Sequence, residues 1–330
     1  MTIPSISRRD ALRVGASCAA HLALASFVMP RPARAAWAHR PIGRVVARAP
    51  FGTLERVADG VWALISDPFG GDRTTLSNGG LIAGKAGVVA IEGFNTPAGA
   101  SWLAQQSLAL TGRWPTHVVL THYHADHANG VAGYRTDGHA VSTRATEVTR
   151  DQVLTRNAAD ADRRAALSDA VLLRPEATDA IDLGDRRVRC VARRGHTASD
   201  VTVELDDPSV VFCGDLVWNG LVPNYVDAIP SALRHSVRAL MVPGRRAFVP
   251  GHGAMADRAA LVRYAALLDA IEAGARAARD AGTPPEEAGA RFTLPESLDK
   301  WTLFSPTYFT RAFSAWNREW DAPSTRNRSP

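Results

Sequence analysis

A layered α/β domain is the fold class this sequence predicts, on three observations. Short apolar runs of strand type recur along the chain and alternate with segments of helical spacing. Polar residues and glycine cluster where several of those runs end, as at the functional edge of an α/β sheet. With 330 residues, 46% apolar and 22% charged, the chain is long and apolar enough to bury a sizeable core.

The elements follow in order. Residues 36–51, rich in Pro, Arg and Ala, read as an extended lead-in, and β character begins at Leu54. Val61 to Ile65 and Gly80 to Ala83 are strand-like and flank a turn-rich loop, Pro68 to Asn78. Val88 to Ile91 has the continuous apolar character of a buried strand. Pro97 to Leu110 reads as a helix, with Thr96 as N-cap and Pro97 at its first position. Val118 to Leu120 is another buried strand. Residues 144–170 are polar and helical in character. Strands return at Val188 to Ala192, Val201 to Leu205, Val210 to Cys213 and Ala247 to Val249, with a helix over Ser231 to Met241. Residues 257–330 read as a helical C-terminal extension. In it Phe309, Phe313, Trp316 and Trp320 recur at helical spacing, an aromatic face expected to pack the last helix onto the domain.

Residues 1–35 read as an export signal. Ser7-Arg8-Arg9-Asp10-Ala11-Leu12-Arg13 resembles a twin-arginine motif, a mildly apolar stretch runs from Val14 to Met29, and Ala33-Arg34-Ala35 offers small residues for cleavage. The expected location is periplasmic or secreted, with no stable membrane association after cleavage. The net charge of +5 is concentrated in this segment, where five arginines face Asp10 alone. The remainder is close to neutral, which argues against a nucleic-acid partner. Cys190 and Cys213 sit in strand-like runs, and an exported protein could hold them as a disulfide or as two buried thiols.

Thr121-His122-Tyr123-His124-Ala125-Asp126-His127 carries most of the functional information. Histidine makes up 10 of 330 residues, yet three fall within six positions beside an aspartate, directly after a buried strand. A loop at a strand end can turn neighbouring side chains toward one point. Gly195-His196, Gly214-Asp215 and Gly251-His252 share that context, each a polar residue close after an apolar run with glycine beside it. Five imidazoles and two carboxylates suit zinc. Seven ligands exceed the needs of one tetrahedral ion and suffice for two that share a carboxylate.

These residues, in this order over roughly residues 52–256, resemble the metallo-β-lactamase superfamily. The resemblance implies an αββα sandwich with metals at one edge. It implies that His122, His124 and His196 hold one zinc, that Asp126, His127 and His252 hold a second, and that Asp215 bridges them. Asp126 and Asp215 would also act in catalysis, by orienting and sharing a metal-bridging hydroxide. The aspartate at position 215 resembles glyoxalase II-like and lactonase-like members more than the β-lactamases. The expected function is therefore a binuclear zinc hydrolase of an ester, thioester or lactone. The alternatives are a β-lactamase and a non-hydrolytic protein, either a mononuclear-iron persulfide dioxygenase or an accessory metal-binding protein. The expected partner is a small-molecule substrate. Trp218, Asn219, Asn224 and Tyr225, which follow Asp215, are candidate substrate contacts, with the Pro68–Asn78 loop and the 144–170 segment completing the wall. Tyr123 and Tyr225 are the candidates for a general acid.

Overall fold

The computed structural model describes residues 43–322 except 136–137, 157–158, 175–177 and 299. The expected signal segment, residues 1–35, lies outside the described residues.

Two sheets form the centre. The first has eight strands in sequence order: β1 (Arg44–Ala49), β2 (Gly52–Ala58), β3 (Val61–Ser66), β4 (Gly79–Ala83), β5 (Val88–Ile91), β6 (His117–Val119), β7 (Ser142–Thr146) and β8 (Val171–Leu173). It is antiparallel from β1 to β5 and parallel from β5 to β8. The second runs β13 (Ala247–Gly253), β12 (Val210–Asn219), β11 (Asp200–Leu205), β10 (Arg187–Arg193) and β9 (Thr178–Asp182). Its β12 and β13 are parallel, whereas its other pairs are antiparallel.

The central strands β3, β4, β5, β11 and β12 are covered on both faces and are buried almost throughout, whereas the outer strands are partly exposed. In β3, Val61, Ala63 and Ile65 face the second sheet, where they meet Val188, Val203 and Phe212. Trp62 and Leu64 face outward to helix α1 (Pro97–Thr111), with Ala100 and Leu103 against them. The short α2 (Ala125–Ala128), α3 (Glu147–Arg156) and α4 (Ala161–Ser168) follow, with α3 and α4 supplying Val153, Ala166 and Leu167 to this cluster. Outside the second sheet, Val211 and Cys213 pack beneath α5 (Pro230–Leu240), α6 (Arg258–Asp280) and α8 (Tyr308–Asp321), with the short α7 (Pro285–Arg291) between the last two. The layers are therefore α, β, β, α, as the resemblance implies.

Several sequence expectations are refined. Part of the lead-in, Arg44–Ala49, pairs with β2 as an edge strand. Thr96 is the N-cap of α1 by position, but its hydroxyl donates to Thr74 O instead of capping the helix. The helical segment at 144–170 opens with the last residues of β7. Phe309, Phe313 and Trp316 are buried in the outer core, the first two against Phe292, while Trp316 stacks on Trp320. Cys190 and Cys213 are two buried free thiols, and burial pushes the Cys190 thiol up to about 12. Among the described residues, no helix is long and apolar enough to cross a membrane.

Candidate metal centre

All seven expected ligands converge at one edge of the sandwich. His122, His124, His196 and Asp215 form one group and Asp126, His127 and His252 a second, with the ligand atoms of each group within 4.8 Å of one another. His122 and His124 sit on the turn between β6 and α2, and Asp126 and His127 lie within α2. His196 lies between β10 and β11. Asp215 and His252 lie within β12 and β13, not beyond their ends as expected, where irregularities on either side of Gly214 turn the strand. The parallel register places Gly214 opposite Pro250 and Trp218 opposite His252, which sets Asp215 beside Gly251. A side chain at Gly251 would place a Cβ 2.0 Å from Asp215 Oδ1, so only glycine leaves room for that carboxylate.

The first group presents converging lone pairs. Thr121 Oγ1 donates to Glu92 Oε1 at 2.6 Å and so accepts from His122 Nδ1 at 3.0 Å. His124 Nε2 donates to Asp227 Oδ2 at 2.9 Å. With those outer nitrogens carrying the protons, the inner ones are acceptors. Yet His124 Nδ1 lies 3.1 Å from His122 Nε2 and 2.9 Å from His196 Nε2. The lone pairs of His122 Nε2 and His124 Nδ1 at that spacing repel unless a cation sits between them, and imidazole is a good ligand for one.

The second group has the same character. His127 Nδ1 donates to Glu92 Oε1 at 2.9 Å, which aims Nε2 inward. Asp126 Oδ2, His127 Nε2 and Asp215 Oδ1 are all buried with no hydrogen-bond partner. Orphaned polar atoms of this kind are rare in native cores, and here they surround one point. The residues fit a two-metal centre. Asp215 joins the halves: its Oδ2 lies 3.1 Å from His196 Nε2 and its Oδ1 3.1 Å from His127 Nε2.

Charge follows from this packing. Burial opposes ionisation of Asp215, but His127, His252 and His196 outweigh it and hold the carboxyl well below its usual range. Burial likewise opposes a charge on His127 and His252. Asp215 and its neighbours overcome it, holding the His127 proton well above the usual imidazole range and raising His252 to about 9. His122 and His124 shift the other way, mainly through burial. At pH 7 a metal entering the second group must therefore displace protons, whereas one entering at His122 and His124 need not. As pH falls from 8 to 6, below the raised value of His252, zinc affinity at the second group should drop more steeply than at the first. Equal pH dependence of the two equivalents in zinc titrations of the metal-free protein would contradict this ordering.

Sequence reasoning missed the residues that hold the ligands. Glu92 follows Val88–Ile91 and precedes Gly93, the same signature as Asp215 after its strand, so it was legible. Its backbone is left-handed at φ 78°, a conformation costly for a residue with a Cβ. The Glu92 N–H to Val119 O and the Tyr134 hydroxyl to Glu92 O fix it there. Asp227 had no local signal. Besides His124 it pairs with Arg156 Nη2 at 3.4 Å, and the Arg156 guanidinium stacks over Tyr123 at 4.5 Å. Asp200 accepts from the backbone N–H groups of His196 and Thr197, locking the turn that carries His196, and burial raises its carboxyl to about 6.

The expected wall residues are placed as follows. Ser77 Oγ donates to Asp126 O, and the Asn78 amide donates to Pro250 O and Gly253 O, so the 68–78 loop is stitched to the site. The Trp218 ring lies 4.2 Å from His252 and 6.3 Å from His196, and is buried. Asn219 donates to Ala254 O and Met255 O, which supports the segment after His252. Asn224 Oδ1 accepts from Val226 N and Arg311 Nη1. Tyr225 is buried in the outer core. Burial pushes the hydroxyls of both Tyr123 and Tyr225 up, which makes each a poorer proton donor.

Residues 76–268, more than half of the chain, match the sequence profile of the metallo-β-lactamase superfamily. The chain belongs to that superfamily. Among solved structures, the metallo-β-lactamase from Pontibacter korlensis is 23% identical, with a TM-score of 0.55 over 66% of this chain and 98% of that one. The mono-zinc form of the metallo-β-lactamase FIM-1 from Pseudomonas aeruginosa is 20% identical, with a TM-score of 0.54 over 66% of this chain and 95% of that one. The inverting sec-alkylsulfatase Pisa1 from Pseudomonas sp. is 15% identical, with a TM-score of 0.66 over 96% of this chain and 64% of that one. At these identities the likeness is one of fold. No curated protein matches the sequence. Fold and ligand geometry together make this a metallo-β-lactamase-superfamily protein with two groups of candidate metal ligands.

Proposed function

We propose that this protein is a binuclear zinc hydrolase that cleaves an activated acyl bond, an ester, thioester or lactone. The observation that carries the reading is Asp215, whose two oxygens face one ligand group each. When bound, two zinc ions supply a Lewis acid and a water acidified to near-neutral pKa. The rest falls to the chain. Asp215 would offer one carboxylate oxygen to each ligand group and so place negative charge between two bound cations. Asp126, whose Oδ2 lies 3.3 Å from His252 Nε2, is the carboxylate placed to orient a nucleophile as well as to bind. Glu92, Thr121 and Asp227 hold His127, His122 and His124 in the tautomers that ligation requires. Trp218 excludes water from the His252 side.

A compact carbonyl electrophile suits two cations drawn together by a shared carboxylate. A β-lactam, which also needs a site for its leaving nitrogen and its own carboxylate, suits them less. On one zinc-loaded preparation, kcat/KM for S-lactoylglutathione, a lactone or a p-nitrophenyl ester should exceed that for nitrocefin. A secondary alkyl sulfate belongs in the same panel, because Pisa1 shares the fold across nearly the whole chain. Nitrocefin ahead by more than about 10²-fold, roughly 2.7 kcal/mol of transition-state preference, would replace this reading with the β-lactamase one.

A further inference from the structure

The end of the sandwich away from the metal ligands carries a second cavity, of about 750 Å³. The β2–β3, β4–β5 and β9–β10 turns and the C-terminal end of α1 line it. Strand β5 starts near this end and finishes at Glu92, so its four residues, about 13 Å of strand, separate the cavity from the metal centre.

Five cations stand on its wall, Arg44, Arg56, Lys85, Arg113 and Arg186, against two carboxylates, Asp59 and Asp185. Arg56 pairs with Asp59 at 2.5 Å. Arg186 donates to Asp59 O and lies 4.0 Å from Asp185, whose Oδ1 already accepts the Lys85 backbone N–H. Arg113 donates to Gly84 O, which does not neutralise it. Among the described residues Arg44 and Lys85 make no ion pair within 4 Å, although Lys85 shares the field of Asp185 with Arg186. The wall therefore keeps an excess of positive charge. Its floor is apolar, made by Val46, Leu110 and the Trp62 ring. Trp62 is 7% exposed, and its Nε1–H has no acceptor, nor has the buried Nε–H of Arg186. Cations in excess of the carboxylates beside them are what an anion satisfies.

We propose that this cavity binds a small amphiphilic anion, with its carboxylate head among Arg44, Lys85, Arg113 and Arg186 and its apolar body over Trp62 and Leu110. An inorganic oxyanion alone would leave most of the volume and the apolar floor unused. A polyanion would need a continuous basic stripe, whereas these cations ring one cavity and share it with two carboxylates.

Calorimetric titration of the full-length protein with octanoate tests this. Saturable one-to-one binding is expected, together with at least about tenfold weaker binding in the Arg44→Glu, Lys85→Glu variant. Octan-1-ol, with the same chain and no charge, should bind at least about tenfold less tightly, as should sulfate, with the charge and no chain. Leu110→Ala, which cuts back the half-buried apolar floor and leaves the cations in place, should weaken octanoate several-fold. Both variants keep the metal centre intact, so their zinc content reports that they fold. Absence of saturable octanoate binding overturns the proposal. So does unchanged affinity in the double-charge variant, or octan-1-ol binding as tightly as octanoate.

Discussion

Replacing Asp215 with alanine is expected to lower kcat by at least about 10²-fold, near 2.7 kcal/mol of transition-state stabilisation, and to reduce zinc content below two equivalents. The carboxylate is buried, its oxygens lie 3.1 Å from His196 Nε2 and from His127 Nε2, and three imidazoles hold it ionised. On the proposed two-metal reading, its loss would remove one ligand from each group and the anion that would screen two bound cations from each other. Loss of His252 alone removes one ligand from one half, so His252→Ala should cost less. Kinetics and elemental analysis on the same preparations distinguish the cases. An Asp215→Ala protein that keeps two metals and wild-type kcat would remove Asp215 from the site.

The second large effect is expected at Glu92, which belongs to neither group of candidate ligands. Its Oε1 takes the Thr121 hydroxyl and His127 Nδ1, and Thr121 in turn fixes His122. One carboxylate thus sets the orientation of a ligand in each group. Glu92→Ala should weaken zinc binding by about 10- to 100-fold, the range for lost supports of metal-bound histidines, and lower kcat with it. Glu92→Gln keeps an oxygen acceptor and should lose less. Competition with a chromophoric chelator measures the affinity directly. Equal zinc affinity in wild type and Glu92→Ala would show that His127 is held by packing alone. Glu92→Gly is a useful control, since it relieves the left-handed backbone at φ 78° without restoring the carboxylate. Improved stability with lost metal affinity would separate strain from ligand support.

The ligand set was legible because its chemistry is local. His122, His124, Asp126 and His127 occupy one loop, and His196, Asp215 and His252 each stand near the close of an apolar run with a glycine adjacent. Glu92 carries the same mark after Val88–Ile91 and passes unnoticed only because glutamate is less conspicuous than histidine in that position. Asp227 is different. It lies 103 residues from His124 in a stretch with no pattern of its own, and only the packing of the 147–156 helix and the segment after β12 brings it and Arg156 together. The strands were read correctly as buried. Their lengths were not, because β12 and β13 continue through glycine, proline and ligand residues that break an apolar run but not a backbone ladder.

By itself the sequence determined the layered α/β class, most of the central strands and the seven candidate ligands, since these rest on periodicity and on side-chain types that suit a borderline cation; β1, β7, β8 and β9 fall outside the apolar runs it marked. Only the tertiary structure decided that Asp215 faces both groups, because the parallel β12–β13 register and the missing Cβ at Gly251 set that carboxylate's position. It also decided where charge collects. Arg44, Arg56, Lys85, Arg113 and Arg186 are scattered along a chain whose body is nearly neutral, and the paired strands β1 and β2, two turns and a helix end gather them around one cavity. Residue chemistry is written along the chain, but an electrostatic field depends on distances in space, and strand pairing and layer packing set those distances.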